Sequence, residues 1–205
     1  MIILSILFFV TALIYSSVGF GGGSTYLAIL LIWGVPYTIF PVIALVCNII
    51  VVSGNSINFL RSKNINFNLL FPYLIGSIPF AFIGGSIAIE KSLFEILLFC
   101  VLLVAGIFLL IESKSFNKEE IKINKIPRLI SISIGSIIGF MSGIVGIGGG
   151  IFLSPLLFLM KAGYPRHITS SASLFILINS IFGIAGQLTK DQILDQVIIL
   201  SLIHI

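Results

Sequence analysis

The chain has 205 residues, of which 58% are hydrophobic and 9% are charged, and its mean hydropathy is +1.23. This composition excludes a water-soluble globular domain, because folding alone could not bury so much apolar surface. The formal net charge is +4, but the eleven Lys and Arg residues separate apolar segments instead of following one face. Membrane topology therefore explains them better than nucleic-acid binding does.

The apolar segments predict an all-α, polytopic bundle of transmembrane helices, because a helix needs about 20 mostly apolar residues to cross a bilayer. The first segment has no Lys or Arg before it and no small-residue cleavage motif, so we interpret it as a retained helix and not as a signal peptide. Helices are predicted at residues 2–18, 24–34, 36–60, 67–89, 93–112, 128–145, 151–161, 165–187 and 193–205.

A repeated glycine motif indicates an internal duplication. Four glycines recur at a constant offset of 127 residues, and a later Gly and Pro recur at an offset of 129. The pairs are Gly19 with Gly146, Gly21 with Gly148, Gly22 with Gly149, Gly23 with Gly150, Gly34 with Gly163 and Pro36 with Pro165. The predicted organisation is a first transmembrane repeat at 1–112, a charged cytoplasmic linker at 113–127 and a second repeat at 128–205.

The orientation of the two repeats has two solutions. Five helical segments lie between the start of the first repeat and the start of the second. This odd number predicts an inverted repeat, as many transporters have. If each glycine-broken helix pair counts as one crossing, the copies are parallel. The inverted arrangement places nine Lys or Arg residues on the cytoplasmic side and two outside. The parallel arrangement places eight on the cytoplasmic side and three outside. The positive-inside rule therefore favours inversion by one residue. By symmetry, we expect the second repeat to lack about 40 residues at its C-terminus.

The glycine runs interrupt apolar stretches that are too long for one helix. Residues 1–34 would extend for about 50 Å as a helix, whereas the hydrocarbon core is about 30 Å thick. A discontinuous or re-entrant helix pair is therefore expected, with its break facing the protein interior. Helix N-termini attract anions, so two breaks would direct two such ends to one midplane site. Ser24 is predicted as the N-cap of the first short helix.

Close helix packing is the alternative use of glycine in membranes. We assign that role to "GSIPFAFIGG" at 76–85 and to "GIAG" at 183–186. A nucleotide-binding loop is excluded for the two Gly-x-Gly-Gly-Gly runs, because neither follows a strand and neither completes a phosphate-binding motif.

The segments around these runs resemble the TauE/SafE family of membrane permeases, also described as sulfite exporters. The resemblance is carried by "GIVGIGGGIFLSPLLFLMKAGYPRHITSSASLFILINS" at 143–180 and by the weaker copy "GFGGGSTYLAILLIWGVPYTIFPVIALVCN" at 19–48. It implies a transporter of small sulfur-containing anions. The first copy departs from the pattern, with Ala28 in the place of Pro155 and "FPVIAL" in the place of the Thr-Ser segment.

The predicted substrate site combines the glycine breaks with neutral donors in the neighbouring helices. Its residues are Gly21, Gly22, Gly23, Ser24, Asn48, Gly148, Gly149, Gly150, Ser154, Pro155, Thr169, Ser170 and Ser171. For the polar residues, interhelical hydrogen bonding is an equally good interpretation. Lys161, Arg166 and His167 are interpreted as residues that anchor a loop at the membrane face.

The sequence favours neither catalysis nor a cofactor. No Asp or Glu lies deep in a helix, no residues have metal-ligand spacing, and Cys47 and Cys100 both lie in apolar segments. The expected protein is a transporter, not an enzyme, in a bacterial-type cell membrane, with the lipid bilayer and a small anion as its partners. An uncoupled anion channel, a non-transporting membrane subunit and a homo-oligomer stay open as alternatives.

Overall fold

The computed structural model describes residues 2–112 and 123–190, and these parts of the chain are helical. The helices are α1 Ile2–Val18, α2 Gly23–Ile32, α3 Phe40–Arg61, α4 Phe67–Ser86, α5 Lys91–Glu112, α6 Arg128–Val145, α7 Gly150–Leu159 and α8 Pro165–Gln187. Within the described ranges, α3 with its preceding turn, α4, α6 and α8 are long and apolar enough to cross a membrane. The predicted all-α fold is confirmed. The predicted helix at 193–205 lies outside the described residues.

Two predicted helix starts differ from the structure by two residues or more. The helix expected at 36–60 begins as a 3-10 turn, Tyr37–Ile39, because Pro36 is extended and the chain turns before regular α-helix begins. The helix expected at 93–112 begins two residues earlier, at Lys91.

Three predicted helix ends also differ by two residues or more. The helix expected at 24–34 ends at Ile32, shortly before the left-handed Gly34 with its φ of 69°. The helix expected at 67–89 ends at Ser86, after which Ile87 is extended. The helix expected at 151–161 ends earlier because Lys161 has a left-handed φ of 50°, which terminates an α-helix.

The centre of the bundle is formed by α4, α6 and α8, which pack through glycines. Three glycines on α6 lie at four-residue intervals against the backbone of α4. A Cβ added to Gly135, Gly139 or Gly143 would meet the carbonyl oxygen of Tyr73, Ser77 or Ala81, respectively. Because these contacts advance together along both helices, α4 and α6 run parallel. The absence of side chains lets the two backbones approach closely.

The second glycine contact joins α4 to α8. A Cβ at Gly85 would meet the carbonyl oxygen of Gly183, and a Cβ at Gly186 would meet that of Phe82. The two motifs that were predicted to pack helices, "GSIPFAFIGG" and "GIAG", therefore do so.

The helices α3 and α8 run in opposite directions. Near one end of the pair, Ser56 Oγ lies 3.3 Å from Ser173 Oγ. Towards the other end, Leu45 contacts Gly183. Residue numbers thus rise along α3 as they fall along α8. These helices correspond to each other in the two copies, because α3 follows the short helix α2 and α8 follows the short helix α7.

Three connections meet at one end of the bundle. The carbonyl oxygen of Asn64, between α3 and α4, accepts a hydrogen bond from Ser170 Oγ at 2.8 Å and lies 2.7 Å from His167 Nδ1. The segment before α6 reaches the end of α7, where Asn124 N–H donates to the Lys161 carbonyl at 3.0 Å. The described Lys and Arg residues at this end are Arg61, Lys63, Lys125, Arg128, Lys161 and Arg166.

The opposite end carries Lys91 and Lys190 in the described part of the chain. Lys190 Nζ donates to Gln187 Oε1 at 2.8 Å, and partial burial lowers the pKa of this lysine. Lys91 Nζ lies 3.8 Å from Glu95 Oε1. This is an exposed i,i+4 pair on the helix surface, and such pairs contribute little to stability.

Candidate functional site

Two four-residue breaks interrupt the helix pairs where the glycine runs predict them. The first lies between Val18 and Gly23, and the second between Val145 and Gly150, so each boundary recurs after 127 residues. The glycines of both breaks are buried. Neither break therefore faces lipid, where unpaired backbone groups would not be tolerated.

The backbone conformation explains why glycine occupies matched positions. Gly22 and Gly149, which directly precede α2 and α7, both have a φ of 79°, and the first glycine of each break has a φ near 90°. Residues with a Cβ rarely adopt such values. The copies differ at one position, because Gly148 is left-handed with a φ of 82° and Gly21 is not.

The N-cap of α2 is Gly22 and not Ser24, so that prediction is wrong. The left-handed turn at Gly22 starts the helix earlier than expected, and Ser24 becomes its second residue. No side chain caps α2 at this end. The first amide groups of a helix have no hydrogen-bond partner within it. Gly22 has no side chain that could accept from these amides in α2.

Each break reverses the chain. The Tyr15 hydroxyl lies 2.8 Å from Thr25 Oγ1, and the rings of Phe8 and Tyr26 are 4.8 Å apart, so α2 packs back along α1. The helix α7 likewise lies beside α6, and both border an apolar groove of about 350 Å³ with α5. Each pair is thus a hairpin and not one interrupted crossing.

The same capping geometry ends α2 and α7. Three backbone N–H groups after α2 donate to carbonyl oxygens near its end: Trp33 to Ile29, Gly34 to Leu31 and Val35 to Leu30. All three hydrogen bonds recur 127 residues later, at the end of α7. Gly34, with a φ of 69°, therefore corresponds to Lys161, with a φ of 50°. The predicted match of Gly34 with Gly163 is wrong, because the two extra residues of the second copy follow this cap.

A cavity of about 470 Å³ lies between the first break and the faces of α7 and α8. It brings together seven of the thirteen predicted site residues. They are Gly21, Gly22, Gly23, Ser24, Ser154, Pro155 and Thr169. The walls thus come from both copies, but only the first copy contributes break glycines.

The glycines of the second break do not line this cavity. A Cβ at Gly148 would meet Asn48 Nδ2 and Ser180 Oγ, one at Gly149 would meet Ile138 and Phe175, and one at Gly150 would meet Ile176. Side chains of α6, α3 and α8 cover these glycines. The described lining therefore includes the glycines at the N-terminus of α2, but of the corresponding segment at the start of α7 it includes only Ile147 and Ile151. That two helix ends point into one site stays a prediction.

The other predicted site residues also lie outside the lining. Ser170 Oγ donates to the carbonyl oxygen of Asn64. Ser171 is fully buried and its Oγ has no partner among the described residues. Asn48 is fully buried between the two breaks, where its Nδ2 donates to the Ile147 carbonyl at 3.0 Å.

Seven lining residues were not predicted. They are Tyr15, Val18, Phe20, Ile147, Ile151, Phe158 and Ile176. Two sequence signals could have found some of them. Phe20 and Ile147 are the variable residues of the Gly-x-Gly-Gly-Gly runs, and Ile151 and Phe158 lie at i and i+7 on the helix face that also carries Ser154.

The lining is neutral. None of the described residues around the cavity is Asp, Glu, Lys, Arg or His, and its side-chain donors are hydroxyl groups. Lys161, Arg166 and His167 lie at the basic end of the bundle instead of in this lining. Binding would therefore depend on amide and hydroxyl donors and not on a paired charge.

Several other polar side chains join helices to one another. Gln187 Nε2 donates to the Gly143 carbonyl at 2.9 Å, which ties α8 to α6. Asn55 Nδ2 donates to the Ser16 carbonyl at 2.7 Å, which ties α3 to α1. For these residues, the interhelical interpretation is the one that the contacts support.

Comparisons with known proteins extend over nearly the whole chain. The family model "Sulfite exporter TauE/SafE" matches residues 4–204. A probable membrane transporter protein of Sinorhizobium fredii is 31% identical over 185 residues, covering 89% of this chain and 74% of that protein. A probable membrane transporter protein of Methanocaldococcus jannaschii is 30% identical over 199 residues, covering 92% and 73%.

A third relative, a probable membrane transporter protein of Bacillus subtilis, is 20% identical over 217 residues, which cover 94% of this chain and 80% of the relative. No solved structure matches the chain. Together with the four apolar helices described above, these similarities indicate a multi-pass membrane protein of a transporter family and not of an enzyme family. The chain belongs to the TauE/SafE family of sulfite exporter-like membrane transporters.

Proposed function

We propose that this protein moves a small anion, either sulfite or an organosulfonate, across the cell membrane by alternating access. The observation that carries this proposal is the N-terminus of α2 in the wall of the cavity, with Gly21, Gly22 and Gly23 beside it. A helix N-terminus bears roughly half a positive charge and free amide donors. Glycine leaves that backbone uncovered, so an oxyanion can approach it.

Three hydroxyl groups complete a neutral donor set, on Ser24, Ser154 and Thr169. Hydrogen bonds from neutral donors are weaker than those from a charged Lys or Arg. An anion held in this way can be bound and then released, which a transporter requires. No tightly paired charge would have to be broken in each cycle.

The rest of the lining favours an anion that has an apolar part. Val18, Phe20, Ile151 and Phe158 form much of the wall, and the volume of about 470 Å³ is larger than a bare oxyanion needs. An organosulfonate could place its sulfonate at the α2 N-terminus and its carbon chain against these side chains. We therefore expect an organosulfonate to bind more tightly than sulfite.

Alternating access would follow from an inverted repeat, which is part of this proposal. Two observations support inversion. The corresponding helices α3 and α8 are antiparallel, as the contacts of Ser56 with Ser173 and of Leu45 with Gly183 show. Because each helix pair is a hairpin, its two helices count as two segments. Five segments, α1 to α5, then lie between the start of the first copy and the start of the second, and this number is odd.

The direct test is uptake of radiolabelled sulfite, sulfoacetate and sulfate into proteoliposomes that contain the full chain. We expect saturable flux of sulfoacetate and sulfite that is accelerated by unlabelled substrate on the opposite side. Flux of all three equal to that of empty liposomes would overturn the substrate proposal. Steady conductance without saturation or exchange would identify an anion channel instead.

Two lining variants test the position of the site. Thr169→Val and Ser154→Ala each remove one hydroxyl donor, so we expect the apparent KM for sulfoacetate to rise about tenfold. Ser171→Ala is the matched control, because Ser171 is a buried α8 serine outside the lining. An equal rise in KM for the control would show that the substrate is bound elsewhere.

A further inference from the structure

The carboxamide of Asn48 lies between the two helix breaks and contacts both. It is fully buried in the middle of α3. Its Nδ2 donates to the carbonyl oxygen of Ile147 in the second break, at 3.0 Å. Its Oδ1 lies against Gly21 in the first break.

Three glycines enclose this carboxamide, and their missing side chains make room for it. A Cβ at Gly21 would collide with Oδ1. A Cβ at Gly23 would lie 2.7 Å from Nδ2, and one at Gly148 would lie 2.9 Å from the same atom. Gly21 lies in the first break, Gly23 begins α2 directly after it and Gly148 lies in the second break. One side chain therefore explains glycine at positions in both copies.

Asn48 does not line the cavity, but it contacts backbone that does. Gly21, Gly23 and Ile147 all form part of the cavity wall, and Asn48 touches each of them from behind. A shift of one break would therefore press on the carboxamide, and through it on the other break.

Of the two polar atoms of this carboxamide, Nδ2 makes a hydrogen bond and Oδ1 has no hydrogen-bond partner among the described residues. A buried acceptor without a donor is costly, and this one lies beside Gly21 of the first break.

We infer that Asn48 is a positioning residue that couples the two breaks, so that both walls of the cavity move as one unit. Asn48 acts through the backbone of Ile147 and of the first break and makes no contact with the substrate. This inference rests on the proposed function for its role in transport. The coupling itself is a property of the fold and can be measured without a substrate.

The test compares Asn48→Leu with Asn179→Leu by hydrogen–deuterium exchange of the full chain in lipid nanodiscs. Asn179 is the matched control because it is also fully buried and, among the described residues, its Oδ1 has no partner, but its Nδ2 donates to the Phe175 carbonyl in its own helix. We expect Asn48→Leu to raise exchange at least about fivefold in the peptides of both breaks. The control should leave both breaks unchanged.

A second variant separates coupling from space filling. Gly21→Ala combined with Asn48→Ala puts a methyl group where Oδ1 lay, and so refills part of the space without restoring the bond to Ile147. If the bond couples the breaks, the double variant exchanges as fast as Asn48→Leu at both. Protection restored to the wild-type level, or a change confined to the second break in Asn48→Leu, would overturn the inference.

Transport kinetics give an independent readout. Asn48→Leu should lower the maximal rate of sulfoacetate exchange about tenfold and leave the apparent KM within about twofold, because Asn48 does not touch the substrate. A rise in KM with an unchanged maximal rate would make Asn48 a substrate ligand and overturn the inference. If the wild-type protein moves none of the three anions, the proposed function fails and the exchange experiment still decides the coupling.

Discussion

At the scale of single residues, left-handed positions decide where the short helices begin and end. The caps after α2 and α7 share the same three backbone hydrogen bonds, yet one has Gly34 at the left-handed position and the other has Lys161. A left-handed conformation costs a residue with a Cβ about 1 kcal/mol or more. The second copy is therefore strained at a position where the first copy is not.

Replacing Lys161 with glycine should relieve this strain. We expect Lys161→Gly to raise the free energy of unfolding by up to about 1 kcal/mol, because glycine is the preferred residue at a left-handed helix end. The hydrogen bond from Asn124 is kept, since it goes to the main-chain carbonyl. The measurement is thermal unfolding in detergent. Lys161→Ala removes the charge and keeps the Cβ, so equal stabilisation by alanine would contradict the explanation.

The sequence could predict where the breaks lie, but not which glycines line the cavity. Three consecutive glycines after a long apolar run identify a break from local chemistry alone. Whether a glycine faces the cavity depends on distant side chains, as Gly149 and Gly150 show by packing against Phe175 and Ile176 of α8. The contact of Asn48 with Ile147, which lies 99 residues later in the chain, is equally non-local.

At the scale of helices, close backbone contact replaces side-chain packing in the centre of the bundle. Three glycines of α6 meet three carbonyl groups of α4 at successive turns. Such small-residue contacts are a principal means by which transmembrane helices associate, because lipid supplies little hydrophobic driving force between them. The α4 motif at 76–85 was predicted to pack helices, whereas the glycines of α6 that meet this helix were not singled out, because the pairing of two helices is not encoded in either one alone.

This interface predicts opposite effects for the same substitution in two helices. Gly139→Ala would place a methyl group against the backbone of Ser77, so we expect a loss of about 2 kcal/mol or more in the free energy of unfolding. Gly106→Ala in α5 meets nothing within 4 Å. There alanine should stabilise the helix by about 0.5–1 kcal/mol. Thermal unfolding of both variants measures the contrast, and equal shifts would refute the packing explanation.

Helix existence was predicted well, and helix ends less so. The apolar length of each segment predicts a membrane helix directly. The early end of α4 at Ser86 and the 3-10 turn before α3 depend on how neighbouring segments meet, which apolar length does not encode.

At the scale of the whole molecule, the two ends of the bundle differ in charge. The basic end joins the connection between α3 and α4 to the start of α8, through Asn64 and Ser170. It also joins the end of α7 to the segment before α6, through Asn124. Six of the described Lys and Arg residues lie at this end and two at the other. The positive-inside rule predicts that the basic end is cytoplasmic.

Cysteine labelling tests this topology directly. In a background with Cys47→Ala and Cys100→Ala, single cysteines at Lys63, Lys161 and Lys190 are exposed to a membrane-impermeant maleimide in vesicles of known orientation. The inverted arrangement predicts that Lys63→Cys and Lys161→Cys react only from the cytoplasmic side and Lys190→Cys only from outside. A parallel arrangement predicts the reverse for the last two, while Lys63→Cys stays cytoplasmic and serves as the internal reference. The contacts of Asn64 with α8 and of Asn124 with Lys161 favour the first result, because they bring the three connections to the same end of the bundle.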